Sequence, residues 1–139
     1  FIRPASRAFG ASTIAVCIDA RSHASGENRV WVRNAQEVTP FLPTEFARLM
    51  EEAGAGELVV QSVERDGMMS GYDIDLVRSI SQAVSIPVVA LGGAGTLEHM
   101  RRARNEGHAS ALAAGSMFVF HGPKSGVLIN YPEKSEISF

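Results

Sequence analysis

The sequence predicts an α/β fold built from parallel strand–helix units, and three observations carry that prediction. Apolar runs without polar alternation recur at Ser12–Asp19, Leu58–Val63, Ile86–Leu91 and Ser110–Met117, as expected for strands buried on both faces beneath helices. Between the later runs lie segments with apolar residues at helical spacing. Polar or glycine residues follow each strand, which puts candidate chemistry at the carboxyl ends of a parallel sheet.

Each element has its own local reason. Ser12–Asp19 (STIAVCID) is β-branched and apolar, with Cys17 as a core position. A polar stretch follows, in which Arg29–Arg33 (RVWVR) reads as a short hairpin arm, with Trp31 and Phe41 either covering a site or, the favoured reading, packed beneath the loop. Thr44–Ala53 is predicted as a helix, Thr44 capping its start and Gly54 ending it. Asp73–Val84 places Ile74, Val77, Ile80 and Val84 on one helical face. Ile86–Leu91 is a strand, Thr96–Gly107 a helix, and Ser110–Met117 a strand of very small residues. The tail, 121–139, has no strong helical repeat. A doubly wound sheet would be complete at this length, whereas a (β/α)8 barrel takes about 250 residues, so the chain would supply half of one. The non-helical tail favours the barrel.

Composition narrows the function classes. The chain has 139 residues, 45% hydrophobic, with a formal net charge of −2, so it carries no basic excess for nucleic acid. No apolar run is long enough to span a membrane, and the start FIRPASRAFG lacks the apolar core of a signal peptide. A single cysteine excludes a disulfide framework and suits a reducing cytoplasm. His23, His99, His108 and His121 lack metal-ligand spacing.

The chemistry-bearing residues cluster after the strands. Gly92-Gly93-Ala94-Gly95 precedes the helix expected at Thr96; bare backbone N–H groups beside a helix start can cradle an anion. It is neither a dinucleotide fingerprint nor a P-loop, since Glu98 stands where the third glycine would be and no G-K-[ST] follows. A plain strand-to-helix turn is the competing explanation. Ala113-Ala114-Gly115-Ser116 ends the next strand, and two neighbouring strands ending in tiny residues leave room for one shared phosphate pocket, with Ser116 as an extra donor. Asp19 ends its apolar strand, where it could serve as general acid or base or simply hold a turn. In Val63-Glu64-Arg65-Asp66-Gly67, Asp66 could hold a substrate hydroxyl, while Glu64 and Arg65 read as solvated charges.

FGASTIAVCIDAR, GAGELVVQSVERDGMMSGYDIDLVRSISQAVSIPV, GGAGTLEHM and ASALAAGSMF together resemble the cyclase subunit family of imidazole glycerol phosphate synthase, nearly throughout the chain up to Phe120. The resemblance implies α/β units five to eight, the second half of a TIM-type (β/α)8 barrel, over 1–139 with 121–139 as a tail. That expectation would account for the start at Phe1 and the half length. It further implies a lyase of histidine biosynthesis that needs no cofactor. Such a subunit takes ammonia from a separate glutaminase and acts on a phosphorylated ribulosyl nucleotide. Asp19 is similar in position to the catalytic aspartate of strand five. Gly92, Gly93, Ala114, Gly115 and Ser116 match a phosphate site, Asp66 and Gly67 the strand-six substrate loop, and Glu57 the charged ammonia gate at the bottom of the barrel.

The sequence also departs from the family pattern. Leu91 stands where a serine usually precedes the glycines, Gly115-Ser116 shifts the hydroxyl by one position, and Glu64 replaces an aspartate. The segment around Thr39 lacks the usual lysine and glycine. The tail FVFHGPKSGVLINYPEKSEI resembles a paralogous branch that amidates surface-polysaccharide sugars. Two other readings stay open: a non-catalytic half-barrel that self-associates through its open edges, and a different phosphate-binding barrel. The absence of lysine from the predicted strands counts against Schiff-base chemistry in the latter.

Overall fold

The computed structural model describes residues 1–121 and 126–137. A single six-stranded sheet organises them. Its parallel strands are β1 (Ala15–Ser22), β4 (Glu57–Ser62), β5 (Val88–Leu91) and β6 (Ala111–Leu112), and an antiparallel arm, β2 (Asn28–Val32) and β3 (Glu37–Val38), extends the β1 edge. The sheet order is β3-β2-β1-β4-β5-β6. The parallel strands therefore follow chain order without a reversal, as in a barrel wall; a doubly wound sheet reverses at its switch point.

Helices α2 (Pro43–Glu52), α3 (Ile74–Ser81) and α4 (Leu97–Asn105) separate the parallel strands. They cover one face, where Ile18, Leu58, Val60 and Val88 pack with Ala47, Leu76 and Ile80, and Ala90 packs with Val77, Met100 and Ala103. Asp73 caps α3 by accepting from Leu76 N at 3.1 Å, and Thr96 caps α4 by accepting from His99 N at 3.2 Å. At α2 the expected cap is displaced. Pro43, with its φ already set for a helix, takes the first turn, and Glu45 Oε2 accepts from Leu42 N at 3.1 Å, which leaves Thr44 inside the helix.

Other boundaries move for tertiary reasons. β1 begins after a 3-10 turn, Ala11–Thr13, and runs on to Ser22 because Asp19 to Ser22 pair with Trp31 to Asn28. β6 is only two residues long, and the expected strand over Ser110–Met117 gives way at Ser116 to a single turn, α5 (Ser116–Val119). Helix α1 (Ile2–Phe9), which the sequence pattern did not announce, buries none of its residues. In the tail, β7 (Phe120–His121) pairs with β8 (Gly126–Val127), and the Phe118 and Tyr131 rings lie 5.0 Å apart. Residues 122–125 and 138–139 of the expected tail lie outside the described residues.

The main correction concerns the second sheet face. The strands were expected to be buried on both sides, yet β4 alternates strictly between half-buried and buried positions. Cys17, Asp19, Val59, Gln61, Val89, Leu91 and Ala111 occupy the face away from the helices, and there Cys17 is exposed rather than core. No helix among the described residues is long and apolar enough to cross a membrane.

Candidate functional site

At the carboxyl ends of the parallel strands, three loops close on one another. The β4–α3 loop folds into turns through Arg65 N and Asp66 N, which donate to Ser62 O at 3.2 and 3.1 Å. It is then tied to the β5–α4 loop by Gly71 N donating to Gly93 O at 2.7 Å. Tyr72 fixes the third loop: its hydroxyl donates to Ala113 O at 2.9 Å, and burial pushes the phenol up to about 12. A small cleft opens between the loops, lined by Asp66, Gly67, Gly92, Gly93, Ala114, Gly115 and Ser116 among others. Every residue expected to bind phosphate or substrate thus lies around a single opening.

The cleft shows which glycines are needed, and for what. Gly92 and Gly93 have φ values of 88° and 101°, a region that side-chain-bearing residues rarely adopt. A Cβ on Gly93 would also collide with the Gly71 carbonyl oxygen, and one on Gly92 would lie 2.8 Å from Ser62 O. Their bareness is therefore imposed by the chain's own neighbours, the end of β4 at Gly92 and the β4–α3 loop at Gly93. Gly115 differs: its φ is −117° and a Cβ there would meet nothing within 4 Å.

The available donors are backbone groups. Among the described residues, the N–H groups of Gly93, Ala94, Gly115 and Ser116 donate to no protein acceptor. At the start of α4, Gly95 N donates to His99 Nδ1 at 3.2 Å and His99 N to Thr96 Oγ1. Enclosed space is about 10 Å3, roughly one water, so an anion would sit at the mouth, between the two glycine loops.

Asp19 stands on the open face at the same end of the sheet, in register with Gln61 and, one strand further, Leu91. Two strand spacings put its Cα about 10 Å from that of Leu91. Cys17 Sγ donates to Asp19 Oδ1 at 3.6 Å. Partial desolvation against the sheet, followed by the Asp19 charge and this hydrogen bond, raises the thiol of the otherwise exposed Cys17 from 9.0 to about 11. The neutral thiol is the form that folding favours, so this contribution to stability is complete below pH 9 and is lost as the pH rises towards 11. At pH 9 the native thiol should therefore react with iodoacetamide several-fold more slowly than in the urea-unfolded chain. Mass spectrometry of timed samples checks this, and equal rates would remove Asp19 and burial as its protectors.

Glu57 begins β4 opposite Ala15, at the other end of the sheet. Four residues separate it from Gln61, about 13 Å along the strand. Glu64 is less free than expected: it accepts from Ser22 Oγ at 2.9 Å and lies 3.8 Å from Arg21 Nε, while the Arg21 guanidinium stacks over Trp31 at 5.1 Å. Sequence reading passed over Tyr72 and Gln61, whose importance comes from partners distant in the chain. Among the described residues no group of three His, Cys, Asp or Glu side chains could hold a metal ion.

The family model described as histidine biosynthesis protein matches residues 1–123. The chain belongs to this family. Members of the histidine biosynthesis family are TIM barrels, and the four chain-ordered parallel strands agree with that architecture. A protein of Pseudomonas aeruginosa, provisionally named imidazole glycerol phosphate synthase subunit hisF2, is 38% identical over 136 residues. The alignment covers 98% of this chain and 54% of the relative, so the chain spans about half the length of that relative.

Proposed function

We propose that the chain forms the carboxy-terminal half, α/β units five to eight, of an ammonia-using cyclase of the imidazole glycerol phosphate synthase type, a lyase of histidine biosynthesis. The observation that carries this is the cleft, in which Asp66, Gly67, Gly92, Gly93, Ala114, Gly115 and Ser116 converge from three loops. Phosphate of the substrate sits at its mouth on backbone N–H groups, and Asp66 receives a hydroxyl. Asp19, on the face that lines the interior of a barrel, transfers protons. Ammonia from a cytoplasmic glutaminase subunit enters at the opposite end, beside Glu57. No cofactor takes part.

The test uses Gly115, because a side chain there meets no protein atom. Gly115→Asp adds a carboxylate at the mouth of the cleft while the fold stays intact. Calorimetric titration with inorganic phosphate should give binding to the parent chain and a loss of at least ten-fold in the variant, at unchanged melting temperature. Equal binding by both chains would remove the cleft as the phosphate site.

The tail favours a second reading. Its sequence resembles the sugar-amidating branch, in which the same cleft would take a related anion. Turnover with the cyclase's nucleotide substrate, in a protein that completes the barrel, separates the two.

A further inference from the structure

On the open face β4 carries Glu57 at its start and Gln61 near its carboxyl end, and the Gln61 side chain leads to the cleft. Gln61 is half-buried, in register with Asp19 on one side and Leu91 on the other. Its Nε2 donates to Asp66 Oδ2 at 3.1 Å. A carboxylate only accepts, so the amide must turn its nitrogen towards Asp66. Asp66 is exposed on a loop, and its main-chain N–H donates to Ser62 O. The Asp66 side chain would otherwise sample several rotamers in water.

We infer that Gln61 is a positioning residue: its amide clamps one oxygen of Asp66, so that the other oxygen faces the cleft as a fixed acceptor for a hydroxyl group of a phosphorylated polyol. This rests on the cleft being the phosphate site, as proposed above. The clamp makes the site select hydroxylated phosphate esters over bare phosphate, because the ester adds a hydroxyl that a pre-set carboxylate receives without further ordering. A hydrogen bond to a charged group supports about ten-fold in affinity.

Two measurements test it. In the ligand-free chain, the Gln61 side-chain amide proton should resonate downfield in 1H–15N spectra and return towards free-glutamine values in Asp66→Ala, which removes the acceptor; an unmoved resonance overturns the clamp. Glycerol 3-phosphate and inorganic phosphate are then titrated into the parent, Gln61→Leu and Gln61→Met. The parent should prefer the ester by about ten-fold, and either variant should lose that preference while binding inorganic phosphate within about two-fold of the parent. A preference that survives in both variants overturns the positioning role. If the parent binds neither probe, the cleft reading and the hydroxyl role fail together, while the amide resonance still decides the clamp.

Discussion

Gly93→Ala should be among the most damaging single-methyl changes in the chain. The added Cβ collides with the Gly71 carbonyl oxygen, lies 3.1 Å from Arg65 Cβ, and must be held at a φ of 101°. Backbone strain and overpacking each cost about 1–3 kcal/mol, so the variant should lose ~3–5 kcal/mol and melt about 10 °C or more below the parent. Calorimetric melting of Gly93→Ala beside Gly115→Ala makes the comparison internal, since the latter meets nothing. Equal melting temperatures would mean that the β4–α3 and β5–α4 loops do not pack as described. The result also governs how the cleft is studied: loss of anion binding in a Gly93 variant reports collapse of the loops as readily as loss of donors. Gly115 is the position that separates the two.

Leu58→Ala and Val59→Ala, one residue apart on β4, should differ several-fold in cost. Leu58 is 0% exposed beneath the helices, in register with Val16 and Val88. Its truncation leaves a cavity worth about 2–5 kcal/mol. Val59 points to the open face and is only half-buried, so its truncation should cost under about 1 kcal/mol. Urea unfolding of both variants at low protein concentration reads the difference. Matching losses would mean that the open face is covered in solution, and sedimentation of the parent would then reveal a dimer or larger species. Such self-association has a physical motive: Cys17, Val59, Val89, Leu91 and Ala111 form a largely apolar surface beside the short edge strand β6.

Much of this architecture was legible because it depends on neighbours in sequence. Apolar runs marked the strands β1, β4 and β5, and the helix ranges opening at Asp73 and Thr96 began one residue before α3 and α4. Where the expectation slipped, a competing local or tertiary effect prevailed. Pro43 outcompeted Thr44 at the start of α2, and pairing with β2 carried β1 past Asp19 to Ser22. Small residues marked the β6 region, but a strand lasts only as long as its partner, and β5 offers it two paired positions, Val89 and Ala90.

The candidate site divides along the same line. The residue types around Gly92, Gly93, Gly115 and Asp66 were visible in the chain because glycine and carboxylate chemistry is intrinsic to the residue. What required Gly93 to be bare was not visible, since its cause is the Gly71 carbonyl, brought there by a loop 22 residues earlier in the chain. Gln61 and Tyr72 looked ordinary for the same reason: their significance lies in Asp66 Oδ2 and Ala113 O. Sequence alone determined the order of the parallel strands and the helices between them, the family, and the kinds of groups at the strand ends, all of which follow from local periodicity and residue chemistry. Only the tertiary structure decided which sheet face is covered, which glycines are sterically required and which carboxylate is held, because each depends on the close approach of segments far apart in the chain.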